Sequence, residues 1–221
     1  MKTIGLLGGM SWESTLSYYR AINEGVKARL GGLHSAKIVM VSVDFDEIET
    51  LQRSGDWEMT AVLLSAAARR VEAGGADFLL ICTNTMHKVA PQIAAAVSIP
   101  LLHIADATAQ KIQADGLQTV GLLGTRFTME HAFYKGRLSE KYGINILIPS
   151  EDDRETVHRI IFDELCRGQI QDRSRNEYLR IISALHQKGA EAVILGCTEI
   201  ALLVHQKHTA VALLDTTQIH A

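Results

Sequence analysis

Short apolar runs bounded by glycine alternate along this chain with longer stretches whose apolar residues recur at helical spacing. Residues 3–7 form a continuous apolar run, the pattern of a strand buried on both faces. Gly8-Gly9-Met10-Ser11 reads as a tight loop. Ser11 or Ser14 is placed to cap a following helix whose stripe carries Tyr18, Ile22 and Val26, and Gly31-Gly32 ends it. Residues 36–43 read as a second strand, 44–55 as polar and irregular or briefly helical, and 57–73 as a helix stopped by Gly74-Gly75. A third strand is expected over 77–82, and Pro91 fits the first turn of a helix running through Ile93 and Val97. A fourth strand is expected over 99–104, with Asp106 placed to cap a helix beginning near Ala107.

The pattern then starts again. Thr119-Val120-Gly121-Leu122-Leu123-Gly124-Thr125 repeats Thr3-Ile4-Gly5-Leu6-Leu7-Gly8-Gly9, and Tyr134 falls opposite Tyr18 in the same alignment. Residues 144–148 repeat the second strand, and 160–166 and 176–187 read as helices, the latter stopped by Gly189. Residues 192–196 repeat the third strand, and 211–214 followed by Asp215-Thr216-Thr217 repeat the fourth. Several elements recurring in one order indicate internal duplication of about half the chain. Strands alternating with helices imply parallel sheets flanked by helices. The expected fold is therefore α/β, with two similar lobes of about four parallel strands each, related by a pseudo-two-fold. The first lobe is expected over 1–115 and the second over 116–221. The chain stops at Ala221, barely into its last expected helix and short for the pattern, and the C-terminal tail is placed to pack back on the first lobe.

Bulk composition narrows the function. The 221 residues, 47% apolar and 21% charged, describe an ordinary globular protein, and a net charge of -3 offers no basic footprint for nucleic acid. No apolar run reaches membrane-spanning length, and the N-terminus is too short and glycine-rich for a secretory leader, so a cytoplasmic location is expected. The three cysteines, Cys82, Cys166 and Cys197, form no CxxC pair or disulfide frame. His87 and His103 lack partners at metal-ligand spacing, so no metal site is expected. Gly5-Leu6-Leu7-Gly8-Gly9 matches neither a dinucleotide fingerprint nor a Walker loop.

Candidate chemistry gathers where the third strand of each repeat ends, because parallel sheets bind ligands beyond the carboxyl ends of their strands. Thr83, Cys197, Gly8-Gly9 and Thr125 all lie at such ends and line one cleft if the lobes face each other. Cys197 reads either as a small core residue or as a reactive thiol; Gly196 before it and Thr198-Glu199 opening a helix favour the second. A helix start there is expected to lower the thiol pKa. Aligned without a gap, Gly75-Ala76-Asp77-Phe78-Leu79-Leu80-Ile81-Cys82-Thr83 sets Thr83, not Cys82, opposite Cys197. A one-residue step turns a side chain to the other face, so Cys82 is expected in the core. Cys166, on the stripe Ile161-Phe162-Leu165-Cys166, is expected to be structural. Asn84-Thr85 and Thr198-Glu199 serve either as helix caps or as donors to a carboxylate, and the two roles are compatible.

Cys82-Thr83-Asn84-Thr85, Gly196-Cys197-Thr198-Glu199 and Gly5-Leu6-Leu7-Gly8-Gly9-Met10-Ser11-Trp12-Glu13-Ser14-Thr15 together resemble the cofactor-independent aspartate/glutamate racemase family, in particular its enterobacterial broad-specificity and L-aspartate/glutamate-specific members. The resemblance covers essentially the whole chain. It implies an isomerase of amino acids in which two cysteines face each other across the substrate Cα, one removing its proton and the other returning one, with no pyridoxal phosphate or metal. Here the family's usual Cys-Asn-Thr becomes Thr83-Asn84-Thr85. By resemblance, Cys197 acts on L substrates and Thr83, or a water it holds, reprotonates. Asn84, Thr85 and Thr198 then hold the α-carboxylate and amino group, Glu199 joins the substrate contacts, and Met10 and Thr125 lie on the cleft loops. Gln52 and Arg53 occupy the loop that contacts a distal carboxylate in acidic-substrate members, although Arg53 reads equally as a solvated charge. Glu164 stands where some aspartate racemases carry a lysine, which widens the expected substrate range. The implied partner is a small amino acid, with a homodimer compatible with the family. Two other classes fit the pattern: a single-cysteine decarboxylase or a hydantoin or maleate isomerase of the same fold, and a non-catalytic amino-acid-binding module.

Overall fold

The computed structural model describes all residues, Met1–Ala221. Contacts divide the chain into two compact units, Met1–Ile104 with Ala221, and Ala105–His220. The first unit contains β1 (Thr3–Gly8), α1 (Trp12–Leu30), β2 (Lys37–Ser42), α2 (Phe45–Ser54), α3 (Trp57–Ala73), β3 (Phe78–Ile81), α4 (Ala90–Ala95) and β4 (Leu101–Leu102). Next come α5 (Ile104–Ala114), β5 (Thr119–Gly124), α6 (Arg126–Glu130), β6 (Asn145–Leu147), α7 (Glu151–Asp163), α8 (Asp172–Gln187), β7 (Ala192–Gly196), α9 (Ile200–Leu203), β8 (Ala212–Asp215) and α10 (Thr216–His220). Each unit holds one four-stranded sheet, ordered β2-β1-β3-β4 in the first and β6-β5-β7-β8 in the second. Every strand pairing is parallel. The shared strand order shows the duplication in the topology itself.

Alternation along the strands builds a core on each face of the first sheet. Leu7, Leu79 and Ile81 pack with Ile48 of α2 and Leu64, Ala68 and Val71 of α3. Leu6, Leu80 and Cys82 point the other way, against Tyr18 and Ile22 of α1. Burying a side chain such as Leu or Ile contributes roughly 1.5–3 kcal/mol, so these two layers hold the strands in register. Tyr18 and Tyr134, matched in the sequence repeat, are both fully buried. Ser11 is the cap of α1, its hydroxyl accepting from the Ser14 amide at 3.4 Å.

Several boundaries differ from the sequence reading, each for a local reason. Residues 45–54 form a regular helix because Asp44 caps it and Gly55, at φ 77, closes it in the left-handed region. The fourth strand shrinks to Leu101–Leu102 because Ser98 and Ile99 are held elsewhere: the Ser98 amide and hydroxyl and the Ile99 amide all donate to one Glu72 oxygen. Asp106 is not a cap. The helix has already begun at Ile104, and the Asp106 carboxylate accepts from Arg137 Nε and Nη2 at 2.6 and 2.7 Å and from Lys141 at 3.1 Å. Those bonds tie α5 to the π-helical turn Arg137–Lys141, and Thr108 lies 3.4 Å from the Tyr134 hydroxyl, so α5 groups with the second unit.

Candidate active site

The two sheet ladders equate the third-strand ends of the two units. Leu7 pairs with Ile81, and Leu123, the repeat of Leu7, pairs with Leu195. Ile81 and Leu195 therefore occupy the same rung. One residue further, Cys82 matches Gly196; the next step matches Thr83 with Cys197. Burial agrees with this reading. Cys82 is fully enclosed among Leu6, Leu80, Tyr18 and Ile22, and that burial pushes its thiol pKa far up. Gly196 must lack a side chain, since a Cβ there would meet the Leu123 carbonyl at 2.8 Å and Leu122 Cδ1 at 2.9 Å.

In the second unit, β7 delivers Cys197, Thr198 and Glu199 as one hydrogen-bonded group. The Cys197 thiol donates to Glu199 Oε2 at 2.9 Å, and the Thr198 hydroxyl donates to the same oxygen at 2.8 Å. All three residues are buried. Burial pushes the Cys197 thiol well above its ordinary pKa, the Glu199 charge pushes it further, and the bond to Glu199 holds the proton on sulfur. The expected lowering by a helix start is thereby reversed, because the thiol is buried and a carboxylate lies against it, while α9 is only four residues long. Thr125 follows Gly124, the ladder partner of Gly196, and caps α6 by accepting from the Thr128 amide at 3.3 Å. Glu164 is also buried, accepting from the Ser174 hydroxyl at 2.5 Å, with Arg173 at 3.7 Å.

In the first unit, Thr83, Asn84 and Thr85 follow β3 and are all buried, Thr85 opening a 3-10 turn over Thr85–Val89. Met10, on the neighbouring loop after β1, packs in the same cluster as Leu7, Ile48 and Met86. Gln52 is buried on α2. Arg53 is not brought to this group: its side chain is 73% exposed and lies 3.5 Å from Glu49, one helical turn back. Sequence reasoning missed His87, whose ring is tied to the Thr83 carbonyl at 2.8 Å. The sequence offers His87 only as a metal ligand without partners; its spacing of four residues from Thr83 is the signal that could have found it. No group of three or more His, Cys, Asp or Glu side chains is arranged to hold a metal ion, and no helix is long and apolar enough to cross a membrane.

A profile of the Asp/Glu/Hydantoin racemase family matches residues 7–221. The chain belongs to that family. It is similar to a Yersinia pestis structure provisionally assigned as an Asp/Glu racemase, at 57% identity and a TM-score of 0.92, covering 100% of this chain and 96% of that one. It is also similar to an aspartate racemase homologue from Pyrococcus horikoshii, at 34% identity and a TM-score of 0.84 over 100% of this chain and 96% of that one. The broad specificity amino-acid racemase RacX of Bacillus subtilis is 23% identical over 167 residues, which is 72% of this chain and 68% of that one. By class, then, this member of the family is an amino-acid racemase.

Proposed function

We propose that the protein racemises aspartate, glutamate or a wider set of amino acids without a cofactor, with Cys197 as the base toward L substrates and Thr83 as the opposing group. The observation that carries this reading is the buried thiol donating to Glu199. A thiol must lose its proton before it can take one from carbon. Glu199 Oε2 lies 2.9 Å from sulfur and is the acceptor that can receive it. The thiolate then removes the Cα proton of the L enantiomer. Thr83 Oγ, or a water it holds, returns a proton from the other side; the alkoxide or hydroxide recovers its own from solvent, and Glu199 releases the former thiol proton to solvent, which restores the starting enzyme. The ladder equivalence of Thr83 with Cys197 supports that assignment.

Asn84, Thr85 and Thr198 hold the α-carboxylate and ammonium groups, with Met10 and Thr125 on the flanking loops. Glu199 accepts from the Cys197 thiol and the Thr198 hydroxyl and lies beside the substrate contacts. On α2 we assign Gln52 to the distal end of the substrate, because it is buried while Arg53 is exposed and paired with Glu49. Glu164 sits where a lysine would favour a second carboxylate, so the substrate range extends beyond dicarboxylates.

Thermodynamics constrains what an L preference can mean. Two enantiomers have equal free energy in an achiral solvent, so kcat/KM for net racemisation is the same in both directions. A base competent only toward L substrates must reveal itself as Cα exchange of the L enantiomer outrunning inversion. Chiral chromatography of L-Asp, L-Glu and a panel of other L-amino acids, in chelator-treated buffer without added pyridoxal phosphate, tests the activity. D product from at least one acidic L substrate is expected; none from any amino acid, with turnover of a hydantoin or an aryl-malonate, would move the protein to another chemistry of the fold.

A further inference from the structure

We propose that His87 is a positioning residue that holds Thr83 in place for reprotonation; this rests on the assignment of Thr83 as the opposing group. Nδ1 of His87 lies 2.8 Å from the Thr83 carbonyl oxygen, and Nε2 lies 3.2 Å from the Ile104 amide nitrogen. A carbonyl only accepts and an amide N–H only donates. The ring is therefore the neutral Nδ1–H tautomer, donating to Thr83 and accepting from Ile104. It is 1% exposed and packed against the His103 ring at 4.5 Å between centroids.

The ring stands where the sheet gives out. Pairing between β3 and β4 ends at Leu80 opposite Leu102. Thr83 lies beyond the last rung, and Ile104 is the first residue of α5. His87 spans that gap as a rigid strut. The Thr83 amide donates to Ile81 O at 2.9 Å, so with the strut both backbone polar groups of Thr83 are engaged and its side-chain direction is set. The second unit makes the corresponding tie differently. The Cys197 carbonyl, the match of the Thr83 carbonyl, accepts from the Ile200 amide at 3.1 Å, and the position matching His87 is Ala201, which has no ring to offer. The strut thus belongs to the half that carries a hydroxyl in place of a thiol. A hydroxyl is a poor proton donor, and its rate depends steeply on placement; a shift of about 1 Å can cost about a hundredfold.

The test separates exchange from inversion in one sample. L-Asp or L-Glu is incubated in heavy water with His87→Ala, His87→Gln and His87→Asn, and deuterium in the L pool is read beside D product. His87→Gln and His87→Ala, which lose the donor to Thr83, are expected to lower inversion by about 10- to 100-fold. Deuterium entry into the L pool, the Cys197 step, stays within about threefold of wild type, since no contact to that residue is altered. His87→Asn keeps an amide donor near the Nδ1 position and restores most of the inversion. Exchange and inversion falling together in folded variants, or neither falling, overturns the role. Nitrogen-15 NMR of the wild-type ring decides the strut without turnover: an Nε2–H tautomer contradicts it. Wild-type exchange that survives Cys197→Ala overturns the base assignment instead, and is distinguishable because His87 is intact in that protein.

Discussion

Cys82 and Cys197 are chemically identical side chains with opposite surroundings. Cys82 is closed in by leucine, isoleucine and tyrosine and has no use for its proton. Cys197 is buried too, but against a carboxylate that accepts its proton. Cys82→Ala is expected to leave racemisation unchanged and to lower stability by about 1 kcal/mol, read by denaturant titration. Glu199→Gln should separate thiol reactivity from catalysis. Removing the carboxylate charge lowers the Cys197 pKa, although burial still keeps it above the ordinary value. Alkylation of the variant should begin at lower pH than in wild type. Racemisation should nevertheless fall, by about 10²- to 10⁴-fold, because the acceptor for the thiol proton is gone. Faster alkylation together with faster racemisation would contradict the role given to Glu199.

At the scale of elements, periodicity revealed the strands and long helices, and hydrogen bonds across sequence set the exceptions. β1, α3 and β7 carried unambiguous apolar patterns. β4 was overestimated because no local signal shows Glu72 capturing Ser98 and Ile99. α6 and the π-helical turn Arg137–Lys141 went unread because they are short and their partners are distant. Arg137 illustrates the point: it is legible only once Asp106 is beside it. Burial pushes the Asp106 carboxyl up, but hydrogen bonds from Arg137 and Lys141 outweigh it and hold the carboxyl well below the usual carboxylate range. A lowered folded-state pKa contributes stability that is present above the unfolded value, about 3.9, and is lost as pH falls below it. Asp106→Asn is therefore expected to destabilise the protein at neutral pH by about 1–3 kcal/mol. Its stability should also fall less steeply than that of wild type below about pH 4. Thermal melts from about pH 3 to about pH 7, a span that brackets the titration of an unfolded aspartate, check both.

Across the whole molecule, the duplication is what made the candidate site readable. It paired Thr83 with Cys197 from the sequence alone, and the ladders of the two sheets set Ile81 and Leu195, two residues before them, on the same rung. What the duplication could not show were the departures from symmetry: the Glu199 acceptor, the His87 strut and the placement of Arg53 on a solvated helix face. These depend on side-chain direction, which apolar patterning does not encode. The asymmetry also makes a direct prediction. Thr83→Cys restores a second thiol and should raise kcat for D substrates, with kcat/KM rising equally in both directions because the equilibrium between enantiomers is fixed. An unchanged or lower rate in a folded variant would contradict the equivalence of the two positions.

The central claim, that Cys197 alone removes the proton from L substrates while Thr83 completes inversion, is tested most directly by deuterium entry at Cα. Wild type, Cys197→Ala and Thr83→Ala are incubated with L-Asp or L-Glu in heavy water, and the L and D pools are separated before mass analysis. Wild type should label the L pool faster than it forms D product. Cys197→Ala should lose labelling and inversion alike, by about a thousandfold. Thr83→Ala should keep labelling of the L pool while inversion falls. Labelling that persists without Cys197, or inversion that is untouched without Thr83, would contradict the account.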